Sequence, residues 1–289
     1  MFLFVMSEFE RLITAIIEPI ISAENMQWLT RQATLVKQEE TAAKLNLAFI
    51  FIPRKTGHSP IKISISDEQK MIDLVPGFSF NTWTIDRLCR LWLLLQIPSN
   101  NQEVYCKKIE DLFRNADMNE QSALYAALYF FAYPKAWQQR CAEGIRSNIG
   151  TVLEAIMYNN PYPAKYLEEK AWNQLVLKAF FTEKDINRIV GIDERSNKEL
   201  AVTLLDYASE RWAAHRMVHP QLWRLITNFV DEAALPHFKK LLLSDDEKEN
   251  RAAALALYHS QYQPGKELLN QYPHLVNQLQ QQDLSWSTI

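Results

Sequence analysis

Arg211, Trp212, His215 and His219 cluster near the end of one helical stretch, and Asn173 follows Trp172 in another. Such residues bind anions, metals or rings when they share a face. From Asn197 to Arg216 the apolar positions Leu200, Leu204, Tyr207 and Ala208 recur at helical spacing, with Trp212 at the edge of their stripe. Arg211 and His215 project along the same stripe. A guanidinium keeps its charge, so a buried one needs a carboxylate or an anionic ligand. Asp206 and Glu210 point elsewhere on that helix. Arg211 therefore reads as an ion pair to another helix, as a packed stem whose head reaches water, or as the anchor of a groove lined by Trp172, Trp212 and Tyr162.

The other stretch, NNPYPAKYLEEKAWNQLVLKAFF, runs from Asn159 to Phe181. After Pro163, a helix turning about 100° per residue lines up Ala171, Trp172, Leu175, Val176, Ala179 and Phe180. Asn173 falls inside that apolar sector, while Gln174 and Lys178 face away. A buried amide without a partner costs about 1–3 kcal/mol. Pro161 and Pro163 supply no N–H, and an extended loop around Tyr162 offers spare carbonyls. The sequence thus predicts that Asn173 pins this loop, with ligand contact as the alternative. Arg90, in the apolar run DRLCRLWLLLQI, poses the same question, with Asp86 one turn earlier as a ready partner.

Familiar catalytic patterns are missing. No glycine pattern fits a phosphate loop or a dinucleotide fold, and no G-x-S-x-G elbow occurs. His215 and His219 have a metal-binding spacing, but Pro220 pushes His219 out of helical geometry and no HExxH glutamate accompanies them. No metal and no cofactor are expected. Asp245–Asp246 reads as a turn and Glu39–Glu40 as a solvated face. Cys89, Cys106 and Cys141 are far apart and form no CxxC pair, which suits free thiols in a reducing compartment. A net charge of -3 with signs mixed along the chain gives no basic face for nucleic acid. The opening MFLFVM is too short for a signal peptide or a span, so a cytoplasmic protein is expected. Met6, followed by SEFERL, reads as a more natural start, placing residues 1–6 in question.

The elements that position these residues are helical almost throughout. Ser7 is placed to cap a first helix reaching about Ile21, with Glu10 completing a capping box. A long second helix is expected from about Glu24 to Ile52, ending at Pro53. Residues 53–66 read as a non-helical insertion, in which IKISIS alternates like a short strand. A short helix from Asp67 to Leu74 and a turn at Pro76–Gly77 follow, then helices to the end. Residues 111–133, DLFRNADMNEQSALYAALYFFAY, align without a gap on residues 240–262, KLLLSDDEKENRAAALALYHSQY. Each has a leucine-bearing helix end, an acidic turn and a small-residue helix, the logic of HEAT-like repeats. The expected fold class is all-α, a HEAT-like solenoid with residues 1–289 in one elongated domain.

NPYPAKYLEEKAWNQLVLKAFF, Asn160 to Phe181, resembles the signature of EboA proteins: N-P-Y-P, then A-W-N-Q-(M or L)-V-L-K-A. IDERSNKELAVTLLDYASERWAAHRMVHPQLWRLI, Ile192 to Ile226, resembles the block that follows it in that family. Matching by position carries over Asn160, Pro161, Tyr162, Pro163, Trp172, Asn173, Lys178, Arg211, Trp212 and Arg216. His215 falls where the family varies, which argues against histidine chemistry. The resemblance implies a protein of the ebo gene cluster, encoded beside a prenyltransferase-like membrane protein and enzyme-like proteins. That cluster is associated with secondary metabolite traffic, in cyanobacteria with export of a sunscreen precursor. The implied role is a non-catalytic scaffold or carrier, cytoplasmic or held at the inner membrane through partners. Its partners would be the other cluster proteins and an aromatic or isoprenoid small molecule. Two rivals stand beside it: a transferase or hydrolase acting on such a molecule, supported by Arg211 and Lys178 near aromatics, and a pure interaction module docking on the membrane partner.

Overall fold

The computed structural model describes residues 2–39, 41–281 and 284–289. Expectations about Met1 and Glu40 therefore fall outside the described residues. Among these residues no strand forms, and isolated antiparallel bridges join Pro60 to Thr84 and Tyr158 to Ile189. The all-α class is as the sequence predicts. The chain divides into two compact units, one of Met1–Trp172 with Arg188–Val190 and one of Asn173–Asn187 with Gly191–Ile289.

The first unit carries α1 (Phe2–Ile17), α2 (Ala23–Gln38), α3 (Ala43–Thr56), α4 (Ile65–Leu74), α5 (Ile85–Leu94), α6 (Gln102–Asn115), α7 (Met118–Ala126), α8 (Gln138–Arg146), α9 (Gly150–Met157) and α10 (Pro161–Tyr166). The division falls within α11 (Glu169–Phe181). The second unit carries α12 (Lys198–Ala213), a 3-10 stretch Pro220–Phe229, α13 (Leu235–Leu242), α14 (Glu247–His259), α15 (Gln263–Leu269) and α16 (Pro273–Gln280). Its centre is α14, where the small residues Ala252 to Ala254 and Ala256 admit close approach to the 3-10 stretch, α13, α15 and α16.

The centre of the first unit is α5, which buries every residue except Arg87 and packs on α1, α2, α3 and α7. Arg90 is only 3% exposed, between Asp86 at 4% and Glu120 at 6%. Its Nη1 lies 3.0 Å from Asp86 Oδ2 and its Nη2 3.7 Å from Glu120 Oε1. Its Nε donates to the Phe49 carbonyl at 3.2 Å. That last bond explains a departure from the sequence reading. Pro53 does not end the helix but lies inside α3. Lacking an N–H, it strands the carbonyl of Phe49, and Arg90 supplies the missing donor.

Other boundaries move for equally local reasons. The long second helix is broken into α2 and α3. Lys108, nearly buried, donates its Nζ to the carbonyls of Val36 and Glu39, which terminates α2. The Glu39 carboxylate then accepts from Thr41 Oγ1 and from the Lys44 amide, each at 2.9 Å, at the start of α3. Glu39 is thus a helix-end anion whose bonds lie at the exposed surface. Ser7 lies inside α1, which ends at Ile17, and Glu10 accepts from Gln96 Nε2 at 2.7 Å instead of forming a cap. The insertion read at 53–66 contracts to 57–64, and IKISIS contributes no strand. In the two related segments the acidic turn proves to be a helix cap. Asp117 and Glu120 form a full capping box on α7, and Asp246 caps α14.

Removing the Arg90 cation leaves two carboxylates and a carbonyl buried together. Arg90→Met is expected to lower stability by about 3–5 kcal/mol, read from the urea midpoint by circular dichroism.

Candidate functional site

Where α5, α7 and α9 approach one another, the first unit holds a half-enclosed pocket of about 220 Å³. Its charged lining is Arg87, Glu154 and Arg188, its rings include Trp83 and Tyr158, and Asn81, Thr82 and Thr151 add polar groups. Arg87 stands in the first turn of α5, its guanidinium carbon 5.6 Å from the Trp83 ring centre. Its Nη2 donates to Ser122 Oγ at 2.6 Å, and Ser122 donates onward to the Thr151 carbonyl at 3.1 Å. Burial pushes the Arg87 pKa down, while the negative charges of Asp86 and Glu154 push it up.

Arg188 enters from the segment Arg188–Val190, its guanidinium carbon 4.1 Å from the Tyr158 ring centre. The Asn159 amide donates to the Arg188 carbonyl at 2.8 Å, which fixes that segment beside the end of α9. Gly77, at φ 83°, lets the segment close: a Cβ there would stand 2.7 Å from Val190 Cγ1. Strain gathers at the pocket edge. Thr82 has φ 71° and Asn159 φ 49°, both in the left-handed region. For the β-branched Thr82 that conformation is a true outlier.

Asn160 forms part of the pocket wall and is itself held from three sides. Its Nδ2 donates to the carbonyls of Tyr125 and Ala155 at 3.1 and 3.0 Å, and its Oδ1 accepts from the Tyr162 amide at 3.0 Å. Asn160 is thus the cap of α10, with Pro161 at the first helical position where its missing N–H is harmless. Residues Pro161 to Tyr166 are helical, not the extended loop expected, and the pin is Asn160 rather than Asn173. Asn173 instead exchanges bonds with Asn197, its Nδ2 donating at 3.2 Å and its Oδ1 accepting at 2.8 Å. Asn197 caps α12, so this amide pair fixes the start of that helix.

The remaining sequence-derived residues are distributed between the units. Tyr162 and Trp172 are 0% exposed, packed as interior rings. Pro163 is also buried, and Tyr162 donates its hydroxyl to the Pro134 carbonyl at 2.6 Å. In the second unit Lys178 is half-buried on α11. Arg211 needs no buried carboxylate: half-buried, it lies 6.0 Å from the Tyr207 ring centre and its Nε donates to the Met217 carbonyl at 2.9 Å. It shares a shallow hollow of about 250 Å³ with Phe181, Glu210 and Arg216. Trp212 turns elsewhere, stacked 5.7 Å from Trp223 and 5.6 Å from His237, with Lys240 Nζ 4.0 Å from its ring centre. His219 Nδ1 accepts from the Gln221 amide at 3.3 Å as a cap, and His215 sits at φ 54°. Among the described residues no three His, Cys, Asp or Glu side chains gather as a metal would need.

The model of the metabolite traffic protein EboA family matches residues 9–227. The chain belongs to the EboA family. The matched span includes every residue lining the Arg87–Arg188 pocket, as well as Asn173, Arg211 and Arg216; α13 to α16 lie beyond it. No curated protein and no solved structure matches the chain. In this EboA chain, sequence reasoning missed Arg87, Glu154, Tyr158 and Arg188 as members of one site. One signal was present: Trp83 precedes Arg87 by one helical turn, the spacing of a ring–cation pair.

Two outcomes are expected here. Thr82→Gly relieves about 1–3 kcal/mol of backbone strain against a smaller entropic loss, for a net gain of about 1 kcal/mol in the denaturant midpoint. Burial holds the His237 imidazole below its ordinary value of 6.5. The unfolded imidazole then binds a proton first, so stability is full above about pH 6.5 and falls as the pH drops below it. Midpoints measured from pH 7.5 to 5 should fall less in His237→Gln than in the wild type.

Proposed function

We propose that this EboA-family chain assists secondary metabolite traffic as a non-catalytic helical scaffold or carrier. It works beside the other proteins of its gene cluster, including the prenyltransferase-like membrane protein, from the cytoplasm or from the inner-membrane surface through those partners. A HEAT-like repeat character of the segments 111–133 and 240–262, each within its own unit, would suit such a role. The observation that carries the reading is the Arg87–Arg188 pocket, which lies wholly inside the family match. Two cations and three rings at a half-open mouth suit holding and releasing a small molecule more than transforming it. Arginine binds an acidic group reversibly and keeps its own proton.

The hydrolase reading has a geometric candidate in the second unit. Ser209 Oγ lies 2.9 Å from His237 Nε2, but its hydroxyl donates to the Leu205 carbonyl at 3.0 Å. Its proton is therefore directed away from the imidazole that would have to accept it. Expression with the complete gene cluster, native purification and mass spectrometry test the carrier reading. Cluster proteins and a small molecule are expected to travel with the chain. Turnover of a cluster metabolite by the isolated chain would overturn it.

A further inference from the structure

We propose that the Arg87–Arg188 pocket binds a compound of one planar ring carrying a single carboxylate. This deepens the carrier reading by naming the class of its cargo. Size comes first. At about 220 Å³ the pocket is smaller than the roughly 300–1,000 Å³ that encloses drug-sized ligands, so what it can enclose is about one ring.

Charge comes next. The lining holds two guanidiniums and one carboxylate, a surplus of one positive charge. Asp86, the acidic neighbour of Arg87 in the chain, bonds Arg90 at 3.0 Å while its charge also acts on Arg87. It does not line the pocket, whose own groups carry the cationic surplus, and partial burial strengthens their pull on a single anionic group.

The two arginines are also set out alike. Each lies over a ring, Arg87 with Trp83 and Arg188 with Tyr158. A guanidinium presents a fork of N–H groups that matches a carboxylate, and on Arg87, among the described residues, only Nη2 is taken, by Ser122. Trp83 and Tyr158 also line the pocket, and the half-buried Tyr158 offers apolar surface for a planar ligand. Phosphate lacks the ring and gains nothing from that surface. A primary amine meets the wrong charge. The left-handed Thr82 supplies a second pointer, since strained backbone gathers where a ligand is clamped.

The test is calorimetric titration of the full-length chain with benzoate, benzyl alcohol, benzylamine and inorganic phosphate. Benzoate is expected to bind at least about tenfold more tightly than each of the others, and Arg87→Gln and Arg188→Gln each to weaken it by about tenfold or more. Arg146→Gln serves as the surface control and should leave affinity unchanged. Thermal melts establish that each variant is folded, and binding should change tryptophan fluorescence in the wild type far more than in Trp83→Phe. Equal affinity for benzyl alcohol, benzoate binding that survives the double arginine substitution, or no binding by any probe would overturn the assignment. Because the probes are added in vitro, the result is independent of the co-purification experiment. Benzoate binding without co-purifying partners defeats the carrier reading alone, and partners without benzoate binding defeat this assignment alone.

Discussion

A guanidinium inside a protein cannot be neutralised by losing its proton, and Arg90 sits at the middle of the most buried helix of the chain. Much of the first unit is arranged to answer that charge. Asp86 and Glu120 bring carboxylates from α5 and α7, and Phe49 brings a carbonyl from α3. One side chain thereby ties three helices. The same contact makes Pro53 tolerable within α3, because the carbonyl left without a donor is the one Arg90 occupies. It also decides what Arg87 can do. With the Asp86 carboxylate hydrogen-bonded to Arg90, the neighbouring arginine of the pocket directs its own hydrogen bond to Ser122.

Asparagine does parallel work in two places. Asn160 joins α7, α9 and α10 by bonding two carbonyls and one amide, and Asn173 fixes the start of α12 through its reciprocal pair with Asn197. Each amide is almost buried, and each offers both a donor and an acceptor, so neither leaves an unpaired group. A carboxylate could not replace either one, since it lacks the donor.

The helical class was legible because apolar spacing is local and repeats along the chain. Asp117 and Asp246 were legible as parts of acidic turns for the same reason. Helix ends were less so. The break between α2 and α3 depends on Lys108, remote in sequence, and the passage through Pro53 depends on Arg90, also remote. A wheel drawn for α11 placed Asn173 correctly among apolar neighbours yet could not name its partner, because Asn197 is on another element. The spacing along α12 likewise showed Arg211 on a stripe but not that the chain beyond α12 curls back to present the Met217 carbonyl. The pocket was least legible of all. Arg87 and Trp83 share a local spacing, but Glu154, Tyr158 and Arg188 become neighbours only after folding.

Arg188 gives the pocket an unusual relation to the order in which the chain is made. The segment Arg188–Val190 belongs to the first unit, yet Asn173–Asn187, which precede it, belong to the second. Synthesis runs from the N-terminus, and early segments fold as they emerge. When Trp172 has been added, Arg87, Trp83, Glu154 and Tyr158 are all present, but one cation of the pair is not. The site becomes complete only once the chain has left the first unit and returned to it. Possession of a finished pocket therefore marks a nascent chain that has passed residue 190, and a fragment cut at the end of the first long segment carries half of the recognition charge.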